Sequence, residues 1–257
     1  MKAETAVKKT INYAAGFKSH INKKEVNQRL ISAKKFSKKD IDMVLKKMGW
    51  RDKKNKWYQG KVKMIKELAK KIEAEFREIY FLGITGLVAS GHPKKNDDID
   101  VMIMTKNNKL WKNRLKLRWW MKQNQLPYRD RLGKRKENCF CFNLWLDESG
   151  LKIPVKKQNL RNAVDLILMK PIINKNKSYE KFLKENKWAR KYLASGYDQL
   201  EKKYNFKKVK MKRFKGGDMG NKFYFWPQYW YMKPKMTNEN VGLHQAFFHK
   251  SDGKIES

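Results

Sequence analysis

Tyr80-Phe-Leu-Gly-Ile-Thr-Gly86-Leu-Val-Ala-Ser-Gly91-His-Pro-Lys-Lys-Asn-Asp97-Asp98-Ile-Asp100-Val-Met-Ile-Met-Thr105 holds two apolar runs joined by a connection punctuated with glycine. The first run, Tyr80–Thr85, has strand character and stops at Gly86. The second, Ile99–Thr105, is apolar and β-branched apart from Asp100. Side chains alternate across a strand, so Asp98 and Asp100 share one face while Ile99 points into the core. Asp97 falls on the opposite face. An unpaired carboxylate at the opening of an apolar strand costs several kcal/mol. That cost separates this pair from ordinary solvated acids.

A strand, a Gly-Ser turn opening a helix, and Asp-x-Asp on the next strand resemble the signature of the polymerase-β-like nucleotidyltransferase superfamily. Gly86 stands as the turn glycine, Gly91 falls where small members carry glycine, and Asp98 follows Gly86 by twelve positions. The resemblance covers roughly Lys61–Leu193. It implies an enzyme that moves a nucleoside monophosphate from a nucleoside triphosphate (NTP) to an acceptor hydroxyl. Asp98 and Asp100 are then the catalytic pair that binds Mg²⁺ (or Mn²⁺). Two such ions about 3.5–4 Å apart clamp the attacking and leaving oxygens of an in-line displacement. The turn at Gly86 and Leu87, with Ser90, is expected to hold the triphosphate through backbone N–H groups and a helix N-terminus.

This chain departs from the family pattern twice. Leu87 occupies the usual Ser position, so a hydroxyl contact to phosphate is missing. The third carboxylate is not evident either. The corresponding strand position is Asn143, a metal ligand through its carbonyl but not a general base. Asp165, in Ala-Val-Asp-Leu-Ile-Leu, is the alternative catalytic acid, in a helical context. Asp147 and Glu148 are expected at a strand end in solvent. More loosely, the whole chain resembles bacterial nucleotidyltransferase-domain proteins with an N-terminal winged-helix-like segment, on Asn143–Glu148, Met169–Pro171 and Ala246–His249.

Outward from this segment, residues 61–78 predict an amphipathic helix, Lys109–Gln123 another, and Asn138–Leu146 a third strand. Asn159–Met169 and Ser178–Leu193 predict further helices. Strands alternating with helices argue an α+β fold, with an α/β-like core whose small mixed sheet is flanked by helices. Residues 61–195 are assigned to this core. Residues 1–60 predict a separate, mostly helical unit with amphipathic patterning at Lys8–Phe17, Lys24–Leu30 and Lys38–Met48, the last capped by Ser37. Trp50-Arg-Asp-Lys-Lys-Asn-Lys-Trp57-Tyr58 reads as a basic hairpin, giving the order of a winged helix-turn-helix. The bland alternative is a helical cap packed on the next domain. Residues 196–257 form an aromatic extension, expected to pack on the core. Gly216, Gly217 and Gly220 are expected to interrupt regular structure there. The block Phe223–Tyr231 more often closes a core than stacks on bases. His244 and His249, five apart, are a poor metal pair.

Across 257 residues, 62 Lys and Arg face 25 Asp and Glu, a formal net charge of +37. Such a field attracts polyanions, which favours RNA or DNA as a partner and RNA as the acceptor. An AT-rich genome offers a plain alternative source for so many lysines. No run reaches the roughly 18–20 apolar residues of a membrane helix, and a cytoplasmic protein is expected. Cys139 and Cys141 lack further ligands nearby and are expected to be buried thiols rather than a zinc site. A second reading stays open beside the enzyme: a nucleic-acid-binding protein on a catalytically decayed scaffold, favoured by Leu87 and the missing acid.

Overall fold

The computed structural model describes residues 1–17, 19–129, 137–212, 214, 219–237 and 239–248. The expectations for Gly216, Gly217 and His249 lie outside these residues. The chain opens with α1 (Ala3–Gly16), α2 (Lys23–Gln28) and α3 (Lys38–Lys47). Each buries one stripe: Ala6, Val7, Ile11 and Ala14 from α1, Val26 from α2, Ile41 and Leu45 from α3. Together with Ile21 and Leu30 they form a small core of their own. Ser37 caps α3 as its position predicts, its side chain accepting from the Asp40 N–H.

The expected hairpin after α3 is not formed. Trp50–Asn55 is irregular and lies against residues 20–23. Asn22 Oδ1 accepts from Lys53 N–H at 2.8 Å, Asp52 Oδ1 accepts from Lys23 N–H at 2.7 Å, and the Trp50 indole donates to Ile21 O at 2.7 Å. Side chains and a neighbouring segment satisfy this backbone, so nothing pairs it into a wing.

A second, larger core surrounds the sheet. Its elements are α4 (Tyr58–Glu75), β1 (Ile79–Ile84), the one-turn α5 (Gly86–Ala89), β2 (Ile99–Thr105), α6 (Leu110–Gln123), β3 (Phe140–Asp147), α7 (Leu160–Leu168), β4 (Lys170–Asn174), α8 (Ser178–Glu185), α9 (Ala194–Tyr204), α10 (Met219–Met232), β5 (Asn240–Val241) and β6 (Gln245–Phe247). Among the described residues six strands make one mixed sheet in the order β4-β1-β2-β3-β6-β5. β2 and β3 run parallel, and the other neighbouring pairs are antiparallel. The central strand β2 is apolar on both faces because helices flank the sheet. Its Asp100 is the exception. Phe76 at the end of α4 meets Trp120 of α6 edge-on, and Tyr179 of α8 stacks on Phe81 of β1.

The aromatic block lies within α10, and Gly220 sits in that helix rather than breaking structure. One face is core: Phe225 packs on Trp111, and Gln228 Oε1 accepts from Arg114 at 2.6 Å. The other face is not, since Phe223 and Trp230 are 73% and 59% exposed and Trp226 is close behind. Core-closing therefore describes only half of this helix. The chain then returns through β6, which pairs with β3 and buries Ala246 and Phe247.

Candidate active site

The site gathers at the end of β1, the start of β2 and the middle of β3. Thr85 N–H donates to Asp100 O at 2.9 Å, which pins the end of β1 to β2. Gly86 then turns with φ +63°, a left-handed conformation that favours glycine. A Cβ there would lie 2.5 Å from Asp100 Oδ2, so the absent side chain lets the turn close on the carboxylate. Leu87 is half-buried in α5. Ser90 is buried, and its hydroxyl donates to Leu87 O at 2.8 Å. That hydroxyl closes the short helix and gives no donor to a phosphate. A single turn also carries little macrodipole, so any anion cradle here rests on turn N–H groups alone.

Asp98 and Asp100 lie at the start of β2, as alternation predicts. Asp97 lies apart, its Oδ2 accepting from Lys94 N–H at 2.7 Å. Arg129 Nη1 donates to Asp98 Oδ2 at 3.1 Å from a half-exposed position. Asn143 Nδ2 donates to Asp100 Oδ1 through a short hydrogen bond. The opposing register skips from Phe142 to Leu144, so Asn143 is the extra residue of a β-bulge, a device that re-aims a side chain. Cys141 Sγ donates to Asn143 Oδ1 at 2.9 Å, and burial pushes this thiol up to about 12, so it remains a donor. Its carbonyl faces Cys141 and its amide N–H faces Asp100, so without a metal it orients the carboxylate.

Asp165 comes to the site from α7. Burial first, then the charges of Asp165 and Asp98, push Asp100 up to about 7, against the pull of Arg129 and Asn143. Burial pushes Asp165 up to about 6, with Arg161 and Arg29 pulling the other way. Three like-charged groups in one enclosed space favour protons or a cation. Beside Asp165 is a cleft of about 60 Å³, lined by Thr85, Asn159, Asn162 and Phe247 among others. That volume suits a water or two, or one acceptor hydroxyl. A broader groove of about 670 Å³, lined by Lys152, Lys187, Trp188 and Lys191, contains none of the three acids and is assigned no chemistry.

Among the described residues no group of three or more His, Cys, Asp and Glu side chains is arranged to hold a metal. The donor set nevertheless fits Mg²⁺, which commonly takes one or two carboxylates and fills its octahedron with water and substrate phosphate. Asp98 and Asp100 would supply those two carboxylates.

The raised carboxyls carry a pH signature. Asp100 is raised from 3.8 to about 7, so the folded state holds a proton that the unfolded state has released over that range. Stability from this group is complete below its unfolded pKa and is lost as pH rises through about 7. Without divalent metal, the melting temperature is expected to fall between about pH 4 and pH 7 and to level off above that, and Mg²⁺ to restore it at the upper end. Thermal melts across pH, with and without Mg²⁺, check this. A metal-free curve as steep in Asp100→Asn as in wild type would contradict it.

Two further residues hold the site together. Lys61 is buried in the apolar stripe Ile65, Leu68, Ile72 of α4. Its Nζ donates to Asp97 O at 2.6 Å, Asn138 Oδ1 at 2.6 Å and Lys95 O at 3.1 Å, tying the approaches of β2 and β3 together. Burial pulls its pKa down. A lysine at a core position of the helical period is the signal that identifies it. Glu25 of α2 is the other: its Oε2 meets His92 Nε2 at 2.7 Å, and a Cβ on Gly91 would lie 2.6 Å from its Oε1. Gly91, with φ +84°, thus makes room for the N-terminal unit. Asp147, expected in solvent, is fully buried and accepts from Asn108 N–H, Ser149 N–H and His244 Nδ1. Glu148 pairs with Lys181 at 3.0 Å. Cys139 and Cys141 are both buried thiols.

Comparison with protein-family models, with characterised proteins and with solved structures finds no match.

Proposed function

We propose that this chain is a metal-dependent nucleotidyltransferase that transfers a nucleoside monophosphate from an NTP to an acceptor hydroxyl and releases pyrophosphate. The carrying observation is the closure of the Gly86 turn onto Asp100, with no space for a Cβ between them. It brings the turn backbone beside the carboxylate pair, an arrangement that suits a metal-bound triphosphate. The parallel β2–β3 pair, with its bulge at Asn143, supports the same reading. Bound Mg²⁺ would neutralise the triphosphate and polarise the phosphorus under attack. Asp98 and Asp100 would hold the cation, and Asn143 with Cys141 fixes the Asp100 carboxylate. Asp165, raised to about 6, is ionised at neutral pH and accepts the proton of the acceptor hydroxyl. It takes the place of the missing strand acid from a helix.

Incubation with each of the four α-labelled NTPs, Mg²⁺ or Mn²⁺, and total RNA and protein tests the proposal. Label should appear on one acceptor class. No transfer under any condition, with RNA still bound tightly, would move the assignment to a nucleic-acid-binding protein.

The second reading has its own observation. Phe223, Trp226 and Trp230 present rings at helical spacing on the exposed face of α10. Lys233 and Lys235 lie over Trp230 and Tyr231 at 5.1 Å and 4.2 Å. Rings interleaved with cations suit stacked bases. Trp226→Ala with Trp230→Ala is expected to weaken single-stranded RNA binding by roughly 10- to 1,000-fold, taking about 1–3 kcal/mol per stacked base with partial additivity. Fluorescence anisotropy with a labelled oligonucleotide reads this, and an unchanged Kd would assign RNA elsewhere.

A further inference from the structure

The segment between β3 and α7 meets the turn Lys187–Lys191 after α8 along the groove of about 670 Å³. Lys152, Val155 and Gln158 line it from the first segment, and Lys187, Trp188 and Lys191 from the second. Asn186, fully buried, joins the two. Its Nδ2 donates to Leu151 O at 2.8 Å, while its Oδ1 accepts from Ile153 N–H at 2.8 Å and from the Trp188 indole at 3.0 Å. Tyr192 Oη adds a bond to Gln158 O at 3.2 Å. The N-terminal unit is tied in where Ala194 N–H donates to Ser32 O at 2.9 Å, and the next residue, Ala33, belongs to the lining. Hydrogen bonds thus hold every segment of the groove, and a pre-organised site loses little freedom when it binds.

The groove is basic. Lys152, Lys187 and Lys191 are exposed along it. Arg190 also lines it but is held by Asp198 at 2.8 Å, and Glu185 opposes the lysines with one negative charge. The Trp188 N–H is already bonded, so this residue offers the groove its ring. Cations beside an aromatic ring match a strand of phosphates and bases, the lysines taking phosphates and the ring a base. Bases are open to stacking only where the strand is single. The volume lies within the range of about 300–1,000 Å³ that ligand sites occupy, enough for a short stretch of such a strand.

Two elements border both this groove and the Asp165 cleft. Within residues 155–159, Val155 and Gln158 line the groove while Lys157 and Asn159 line the cleft. On α8, Glu185 lines the groove while Phe182 lines the cleft. The cleft contains Asp165 and neither Asp98 nor Asp100, which makes it the acceptor side of the proposed site. We propose that the groove binds a single-stranded nucleic acid and presents its terminal hydroxyl to Asp165. This rests on the nucleotidyltransferase reading and names its acceptor as a nucleic-acid end. The aromatic face of α10 is a separate surface that shares no residue with the groove.

Fluorescence anisotropy of the full chain with single-stranded RNA and DNA oligonucleotides, without NTP or metal, reads binding apart from chemistry. Replacing Lys152, Lys187 and Lys191 together with alanine is expected to weaken the better-bound oligonucleotide by roughly 10- to 100-fold near 0.1 M salt. The slope of log affinity against log salt should fall by about 2. All three side chains are exposed, so the variant keeps its fold. Alanine at Lys63, Lys66 and Lys70, exposed on α4, removes the same charge outside the groove and should cost less than about threefold. A photoreactive 4-thio base at the 3′ end should crosslink to peptides containing residues 152–158 or 187–191. Equal losses in the two triple variants would mean diffuse attraction to the chain's charge and overturn the proposal. So would crosslinks confined to α10, or no binding by wild type. Polyglutamate bound as tightly, through the same three lysines, would overturn it in favour of an acidic protein. Groove-dependent binding and crosslinking, with no label transferred from any NTP, would keep the nucleic-acid site and overturn the nucleotidyltransferase reading beneath it.

Discussion

Replacing Asp98 and Asp100 together with alanine is expected to lower nucleotide transfer by on the order of 10³-fold or more, with the fold intact. The two carboxylates are the proposed protein ligands of the cation, and no neighbouring side chain can substitute for them. Asn143 turns its N–H toward Asp100, and Arg129 brings a positive charge to Asp98. Asp165 alone is too few donors for Mg²⁺. The fold should survive because the pair strains the metal-free protein: burial, then the charges of Asp165 and Asp98, already hold Asp100 at about 7. Removing both groups relieves that repulsion, so the metal-free variant should melt at or above wild type at pH 8. Transfer assays beside thermal melts separate the outcomes. Lost transfer with a raised or unchanged melting temperature assigns the pair to chemistry. Lost transfer with collapse of the fold would assign it to structure.

Gly86→Ala is expected to remove transfer almost as completely, through geometry instead of charge. The added methyl carries two penalties. The left-handed φ of +63° costs a non-glycine residue about 1 kcal/mol. The Cβ would also stand 2.5 Å from Asp100 Oδ2, which must then leave its position against Asn143. A displacement of about 1 Å in a catalytic group costs on the order of 100-fold in rate. Gly49 supplies the control. It has the same φ of +63°, but a Cβ there meets nothing within 4 Å. Gly49→Ala should therefore lose about 1 kcal/mol of stability and leave transfer unchanged. Equal rates for the two variants would mean that the closure onto Asp100 has no catalytic weight.

Much of the core was readable from local pattern. The strands containing Tyr80–Ile84 and Ile99–Thr105, the helices of residues 58–75, 110–123 and 160–168, and the Ser37 cap fall within a few residues of their expected bounds. Each depends on periodicity or on one capping side chain, which neighbours in sequence supply. The wing failed for the opposite reason. Trp50–Tyr58 looks like a hairpin when only its own residues are considered, but Asn22, Lys23 and Ile21 take up its hydrogen bonds from about 30 residues away. Asp147 failed in the same way: its burial depends on His244, 97 positions distant.

Sequence alone determined that Asp98 and Asp100 share a face, because alternation along a strand needs no partner. It also determined that Gly86 ends β1 in a turn. It could not determine which acid joins them. Asp165 lies on a helix 65 positions beyond Asp100, and only the packing of α7 against α5 brings its charge to bear there. The orientation of Asn143 was equally hidden, since it depends on a bulge in the β2–β3 register and on the Cys141 thiol. Local pattern fixes where a side chain points along its own element. Tertiary packing decides which distant charges it meets, and in a buried site those charges set the chemistry.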